Sequence, residues 1–212
     1  MDVRMFTVGP LAENTFLLRG DESAHAVIVD PGDEAPRLLA AIEESGAELA
    51  GILLTHTHID HVGAVAPLAR KTGAPVYCPA AEAFVLADIA SWTPLGFPPA
   101  DPYDADVLLD GGERLELAGL EIDVIFTPGH SPGHLSYSIP AEQALFSGDV
   151  LFQQSVGRTD LPGGDAPTLM RSIAHLLDVL PDATQVHPGH MGLTTLGHER
   201  VQNPFLAQFA SR

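Results

Sequence analysis

Apolar and polar positions along this chain repeat with two different periods, and the switching between them predicts strands and helices in succession. Short apolar runs read as strands at residues 3–8, 14–18 and 25–29, the last ending in the turn Asp30-Pro31-Gly32. Residues 35–44 have helical periodicity, and Pro36 suits a first turn, where its missing N–H is not needed. Further helices are expected over 62–71, 80–91 and 166–180. A last one over 196–209 should break at Asn203-Pro204, because the residue before a proline is pushed out of the helical region. Residues 92–104 are rich in proline and read as a loop, a candidate cover over a site, and 151–164 reads as a long glycine-containing connection. No linker or internal repeat interrupts the pattern, so one α/β domain over residues 1–212 is expected.

Four of the apolar runs end in potential metal ligands. Gly51-Ile52-Leu53-Leu54 leads into Thr55-His56-Thr57-His58-Ile59-Asp60-His61. Later runs lead into Thr127-Pro128-Gly129-His130, Ser147-Gly148-Asp149 and His187-Pro188-Gly189-His190. Neutral imidazole is a common zinc or iron ligand, and carboxylate is a hard partner for the same ions. In an extended segment, residues two apart point the same way, so His56 and His58 can grip one ion. Asp60 and His61 are adjacent and need a turn to reach one ion together. The pattern points to two metals side by side. A histidine-rich surface loop is the plain alternative, and it does not explain why each candidate follows a buried-type run. The glycines let the backbone turn sharply at the strand ends.

Charge narrows the function. The chain carries 28 acidic residues against ten lysines and arginines, a net charge of −18. This argues against broad binding to nucleic acid or to an anionic membrane, and it leaves few cations for an anionic, glutathione-type substrate. No signal-type N-terminal segment and no apolar run near the roughly 20 residues of a membrane span is visible, so a cytoplasmic protein without a membrane is expected. The single cysteine, Cys78, excludes an intrachain disulfide and reads as a small buried residue on a strand. Assembly into a homo-oligomer stays open.

The order His-x-His-x-Asp-His, followed by His, Asp and His at strand ends, resembles the metallo-β-lactamase superfamily. Thr127-Pro128-Gly129-His130-Ser131-Pro132-Gly133-His134, then Phe146-Ser147-Gly148-Asp149-Val150-Leu151-Phe152 with Gly157-Arg158-Thr159-Asp160, then Thr194-Thr195-Leu196-Gly197-His198-Glu199-Arg200 with Asn203-Pro204-Phe205, are similar to the glyoxalase II-like hydrolases of the short bacterial type. One departure is local: the family continues its last ligand as Gly-His-Gly-Pro, whereas Met191-Gly192 follows His190 here.

The resemblance implies a four-layer αββα sandwich, two mixed β-sheets with helices on the outer faces. It implies a first metal on His56, His58 and His130, a second on Asp60, His61 and His190, and Asp149 bridging both, with Asp60 and Asp149 as the catalytic carboxylates. Such ions lie about 3.5–4 Å apart. Two divalent ions are expected, zinc first, with iron or a zinc–iron mixture as the other choices. The implied reaction is thioester hydrolysis by a metal-bound hydroxide, with S-lactoylglutathione as the family's typical substrate. A thiolate leaves readily because its conjugate acid has a pKa near 8.5. The alternative is a persulfide dioxygenase with one iron on His56, His130 and Asp149. A β-lactamase often has Cys where Asp149 stands, and a non-catalytic metal module does not need an open ligand set. Longer relatives add a C-terminal helical domain that helps hold glutathione. Few residues follow His190, so the thioester chemistry is a firmer expectation than glutathione recognition.

Other polar residues carry weaker expectations. Asp30 is either a turn residue or the partner that orients a metal histidine. Arg158 and Asp160 should pair and steady the ligand loop. His134 should be a hydrogen-bonded structural histidine, and His187 at most a neighbour of the last ligand. His25, His175 and His198 read as ordinary polar residues, and Arg200 and Asn203 as capping or packing residues.

Overall fold

Strands whose two faces are both apolar need cover on both sides, and the central strands of this chain are of that kind. The computed structural model describes residues 1–209. One mixed sheet takes the strands in chain order: β1 (Asp2–Val8), β2 (Glu13–Arg19), β3 (His25–Val29), β4 (Glu48–Leu53), β5 (Val76–Pro79) and β6 (Val107–Leu109). The second is built from β7 (Arg114–Leu117), β8 (Leu120–Phe126), β9 (Leu135–Ile139) and β10 (Ala144–Gly148), with β13 (Gln185–Pro188) and β14 (Thr194–Thr195). Its spatial order is β14-β13-β10-β9-β8-β7. Between β10 and β13 lie a small hairpin, β11 (Leu151–Phe152) with β12 (Ser155–Val156), and a helix. The helices are α1 (Ala35–Ser45), α2 (Ile59–Val62), α3 (Val65–Thr72), α4 (Ala83–Ala87), α5 (Ile89–Trp92), α6 (Ala166–Val179) and α7 (Leu196–Gln202).

Three apolar clusters explain the layering. Phe16, Leu18, Val27, Val29 and Leu53 meet Ile122, Val124, Tyr137 and Phe146 between the sheets. Their neighbours of opposite parity, Leu17, Ala26, Ile28, Ile52 and Leu54, turn outward and pack under Leu38, Ile42, Val65 and Leu68 of α1 and α3. On the far side, Leu145 and Val186 pack under Leu169, Ile173 and Leu176 of α6. The result is helix, sheet, sheet, helix, the expected α/β sandwich. Each such Leu or Phe contributes about 1.5–3 kcal/mol on burial. Tyr137 adds a polar tie between the sheets, donating from its hydroxyl to Leu54 O at 2.7 Å, just where β4 hands over to the histidine segment.

The early strands, α1, α6 and the break of the last helix at Asn203 follow the sequence pattern. Three expectations need correction. The helix over 80–91 is a 3₁₀ turn (Ala80–Glu82) followed by α4 and α5, broken at Asp88. The carbonyl of Leu86, which a continuous helix would use internally, instead accepts from Tyr103 N at 3.2 Å. The helix over 62–71 begins at Val65, preceded by the separate turn α2. Ala64 N donates to Pro31 O at 2.9 Å, and a methyl at Gly63 would strike Gly32 O, so contact with the Asp30-Pro31-Gly32 turn fixes that break. The connection 151–164 contains the β11–β12 hairpin, whose two-residue strands are too short to show a period. No helix among the described residues is long and apolar enough to cross a membrane.

Candidate metal centre

Strand direction brings the candidate ligands together. β8, β9 and β10 pair antiparallel in turn, and β10 pairs parallel with β13, so β8, β10 and β13 all point the same way. The segments leaving them carry His130, Asp149 and His190 to one edge of the sandwich, where β4 delivers His56. Gly189 N donates to Gly148 O at 2.9 Å, which ties two of these strand ends. A methyl at Gly189 would collide with Asp149 Oδ1 and His61 Cε1, so glycine there is a packing requirement of the centre.

His56, His58 and His130 form one group. His56 Nε2 lies 3.0 Å from His58 Nδ1, and His130 Nε2 lies 3.2 Å from the former and 2.9 Å from the latter. The opposite nitrogens of two rings are engaged: His56 Nδ1 is 3.0 Å from Thr55 Oγ1, and His130 Nδ1 is 2.8 Å from the Arg158 carbonyl, to which it donates. Burial, reinforced by the neighbouring imidazoles, pushes the pKa of His56 far down and that of His58 to about 4. Burial also lowers His130, against the pull of Asp149. The lowered values favour neutral rings, whose lone pairs can converge on an ion.

Asp60, His61 and His190 form a second group. The turn of α2 places the adjacent Asp60 and His61 on one side, as the sequence required. His190 Nε2 stands 3.3 Å from Asp60 Oδ2, and His61 Nε2 stands 3.9 Å from the same oxygen. For His61 and His190 burial opposes the charged form, but the surrounding carboxylates outweigh it, Asp149 foremost at His61 and the Asp60 hydrogen bond at His190. Both pKa values are raised. Asp60 is lowered in turn, burial notwithstanding, by His61 and His190.

Asp149 lies between the groups. Its Oδ1 is 3.4 Å from His61 Nε2, and its Oδ2 is 3.6 Å from His130 Nε2 and 3.5 Å from His190 Nε2. Among the described residues, His61 Nε2 and Asp149 Oδ1 are buried atoms without a hydrogen-bond partner. Two orphaned polar atoms facing each other in a histidine and carboxylate cage fit a metal cluster, because buried polar atoms are otherwise satisfied. Asp30, His56 and His61 also come close together, but there Asp30 already accepts from Thr55 N (2.7 Å), Thr55 Oγ1 (2.6 Å) and His61 Nδ1 (2.9 Å). Asp30 thus holds His61 from behind, the orienting role of the two open to it.

Sequence reasoning missed four supports. Glu82, 4% exposed, accepts from Thr57 N (2.9 Å) and Thr57 Oγ1 (3.0 Å) on one oxygen and from Gly133 N (2.7 Å) on the other. It clamps the His56–His58 segment to the His130–His134 segment. Glu13 is buried 3.8 Å from His61 Nδ1, its pKa raised mainly by burial. Asn14 Nδ2 donates to Pro188 O and Met191 O at 3.1 and 2.9 Å and fixes the loop around His190. Thr55 links Asp30 to His56. Only Thr55 lay inside a visible motif. Met191 has φ +69°, the left-handed region that glycine enters freely, so the residue that departs from the family's Gly sits there at some strain.

The lesser expectations sort clearly. His134 is fully buried, 3.0 Å from Thr127 Oγ1, and its Nε2 accepts from Asp149 N at 3.1 Å, so it is structural and seats Asp149. Arg158 and Asp160 make a two-pronged pair at 2.6 and 2.8 Å, and the Arg158 carbonyl is the acceptor for His130. His187 stacks on Phe146 with centroids 4.6 Å apart and touches no candidate ligand. Arg200 pairs with Asp182 at 3.0 Å, and Asn203 donates to Ser155 O at 3.0 Å. His25 lies at the surface, 3.7 Å from Glu48. Cys78 is buried on β5, and burial raises its pKa, so the thiol is inert.

Comparison with known proteins gives the family. The sequence profile of the Metallo-beta-lactamase superfamily matches residues 8–190. The chain is 37% identical to the "Hydroxyacylglutathione hydrolase GloC" of Haemophilus influenzae over 209 residues, covering 97% of this chain and 98% of that one. The structure described as BLEG-1 B3 metallo-beta-lactamase superposes with a TM-score of 0.91 at 42% identity, covering 97% of this chain and 100% of that one. TTHA1623 in a di-iron-bound form gives 0.84 at 42% identity, covering 96% and 100%. By profile, fold and the composition of its candidate metal centre, the chain belongs to the metallo-beta-lactamase superfamily.

Proposed function

We propose that this protein is a dinuclear metal-dependent hydrolase that cleaves thioesters, in the manner of a hydroxyacylglutathione hydrolase acting on S-lactoylglutathione. The observation that carries the reading is the position of Asp149 between two ligand groups, with its Oδ1 and His61 Nε2 both buried and unpartnered. His56, His58 and His130 would hold one ion, Asp60, His61 and His190 the other, and Asp149 both. The mixed imidazole and carboxylate set suits zinc, iron or a mixture of the two, and the di-iron form of TTHA1623 supports the iron option. When bound, such ions bring the pKa of water toward 7 and draw charge from a carbonyl oxygen.

The chain's own residues do the positioning. Asp30, Thr55 and the Arg158 carbonyl engage the far nitrogens of three histidines, so the near nitrogens keep their aim. Glu82 and His134 hold the loops that present them. A thiolate leaving group needs no strong general acid, so a thioester suits a site in which Asp60 and Asp149 are the carboxylates nearest the reaction. The net charge of −18 favours a small-molecule substrate over nucleic acid. A cytoplasmic setting belongs to the same reading.

The test is a parallel assay of the purified protein on S-lactoylglutathione, on glutathione persulfide with oxygen recorded, and on a β-lactam. The B3 β-lactamase description of a 42% identical neighbour motivates the third arm. Thioester cleavage without oxygen uptake is the expected result. Persulfide-dependent oxygen uptake without thioester cleavage would make it a one-iron dioxygenase, and turnover of the lactam alone would make it a lactamase.

A further inference from the structure

A cleft opens beside the metal centre and shares Asp60 with it. Its walls are the turn between β1 and β2 and the loop segment Phe97–Ala100, and its floor is formed by Gly32, Ile59 and Gly63. Val8, Pro10, Ile59, Phe97, Pro98 and Pro99 give it an apolar lining. Three of these are prolines, whose fixed φ leaves little backbone freedom to lose when a ligand enters. Of the residues 92–104, Phe97–Ala100 form one wall of the cleft, and the loop is fastened outside the cleft by Arg70 to Asp101 at 2.5 Å.

The charges of the cleft are one-sided. Asp33 and Asp60 are the ionisable residues of its lining. The arginines next to it are already committed. Arg37 is held by Glu34 Oε2 at 2.8 Å and by Thr7 O at 3.1 Å, and Arg70 is held by Asp101. Arg158, on the metal side, is held by both oxygens of Asp160. A substrate arm ending in a carboxylate would meet Asp33 with no free guanidinium to offset it.

We propose that this cleft receives the acyl arm of the substrate and selects an uncharged, apolar one, with Phe97 supplying the contact and Asp33 rejecting a carboxylate. This rests on the thioester reading above and adds the acyl class to it. Fixed apolar walls with few polar groups are the usual form of a small-molecule subsite. The arm would extend along the cleft from the end marked by Asp60.

The test compares two thioesters of one thiol, a hexanoyl ester and its six-carbon counterpart ending in a carboxylate, on the metal-containing protein. Binding of the matching uncleavable thioethers is measured alongside. The hexanoyl ester should be favoured in kcat/KM by about tenfold or more, the size of effect a pocket gives for a small change in substrate. Asp33→Asn should shrink that ratio severalfold. Phe97→Ala should weaken binding of the hexyl thioether by about tenfold. Equal turnover of the two esters, with the ratio indifferent to Asp33→Asn, would overturn the assignment while leaving the hydrolase reading intact. Binding of the hexyl thioether that depends on Phe97, in a protein that cleaves no thioester, would keep the subsite and reject the hydrolase reading. Hexyl thioether binding unaffected by Phe97→Ala would place the acyl arm elsewhere.

Discussion

The two halves of the candidate metal centre are built on different principles. The His56, His58 and His130 half is all nitrogen, and burial keeps its rings neutral. It is held by neutral backing groups, Thr55 and the Arg158 carbonyl, and by Glu82 acting on the loops. The Asp60, His61 and His190 half is rich in carboxylate, and His61 is backed by Asp30 with Glu13 behind. There the carboxylates raise His61 and His190, so an arriving ion must displace protons. One half is open to an ion over a wide pH range, and the other competes with protons. Asp149 lies between them, and the difference teaches that two groups meeting at one carboxylate need not favour an ion equally.

The largest expected effect comes from removing the joint. Asp149→Ala should lower metal content at both positions and reduce thioester turnover by about 100-fold or more, the upper range for disturbing a metal site. Elemental analysis alongside circular dichroism checks this, and full retention of both ions in a folded variant would refute the bridge. A smaller effect should separate the halves. Asp30→Asn should weaken loading of the acid-rich half by about 10-fold or more, because His61 loses its charged partner, and should touch the other half less, through Thr55 alone. Glu82→Gln turns an amide NH₂ toward Thr57 N or Gly133 N and should weaken the three-imidazole half by about 10-fold instead. Cobalt titration, which gives each position its own absorption, reads both. If the two variants weakened both positions equally, the comparison would lose its basis.

The smallest effect concerns the loop after His190. Met191→Gly removes a left-handed strain of about 1 kcal/mol but adds freedom to the unfolded chain, so a net gain of about 0.5 kcal/mol is expected. Met191→Val, branched at Cβ, should lose about 1 kcal/mol or more. Thermal unfolding of the metal-free proteins compares them, and a more stable valine variant would mean that the strain is not there.

These supports mark the limit of what the sequence reveals. The seven candidate ligands stood out in the sequence because metal chemistry dictates residue type and because each followed an apolar run, and the structure brings them within reach of one another. Asp30 was half legible, since a turn before α1 gave it a second explanation. Glu82 was not: it sits among alanines, and its meaning comes from Thr57 and Gly133, far along the chain. The breaks at Asp88 and before Val65 were hidden for the same reason, because the contacts that cause them, Tyr103 on Leu86 and Pro31 on Ala64, are tertiary. The pairing of Arg158 with Asp160 was anticipated, but the use of the Arg158 carbonyl by His130 was not, since a backbone acceptor leaves no mark on residue identity.

The most direct measurement is a calorimetric zinc titration of the metal-free protein at about pH 8 and about pH 6. His61 and His190 have pKa values raised above 6.5 in the metal-free protein, so protons remain bound there as pH falls through that value and oppose the ion. The pKa values of His56, His58 and His130 are lowered below 6.5, so protons compete less with an ion there. The predicted result is two ions per chain at the higher pH. At the lower pH one ion should remain firmly held, and the second should bind more weakly with proton release. A single ion at both pH values, or equal weakening of two, would contradict an account built on two unequal positions joined by Asp149.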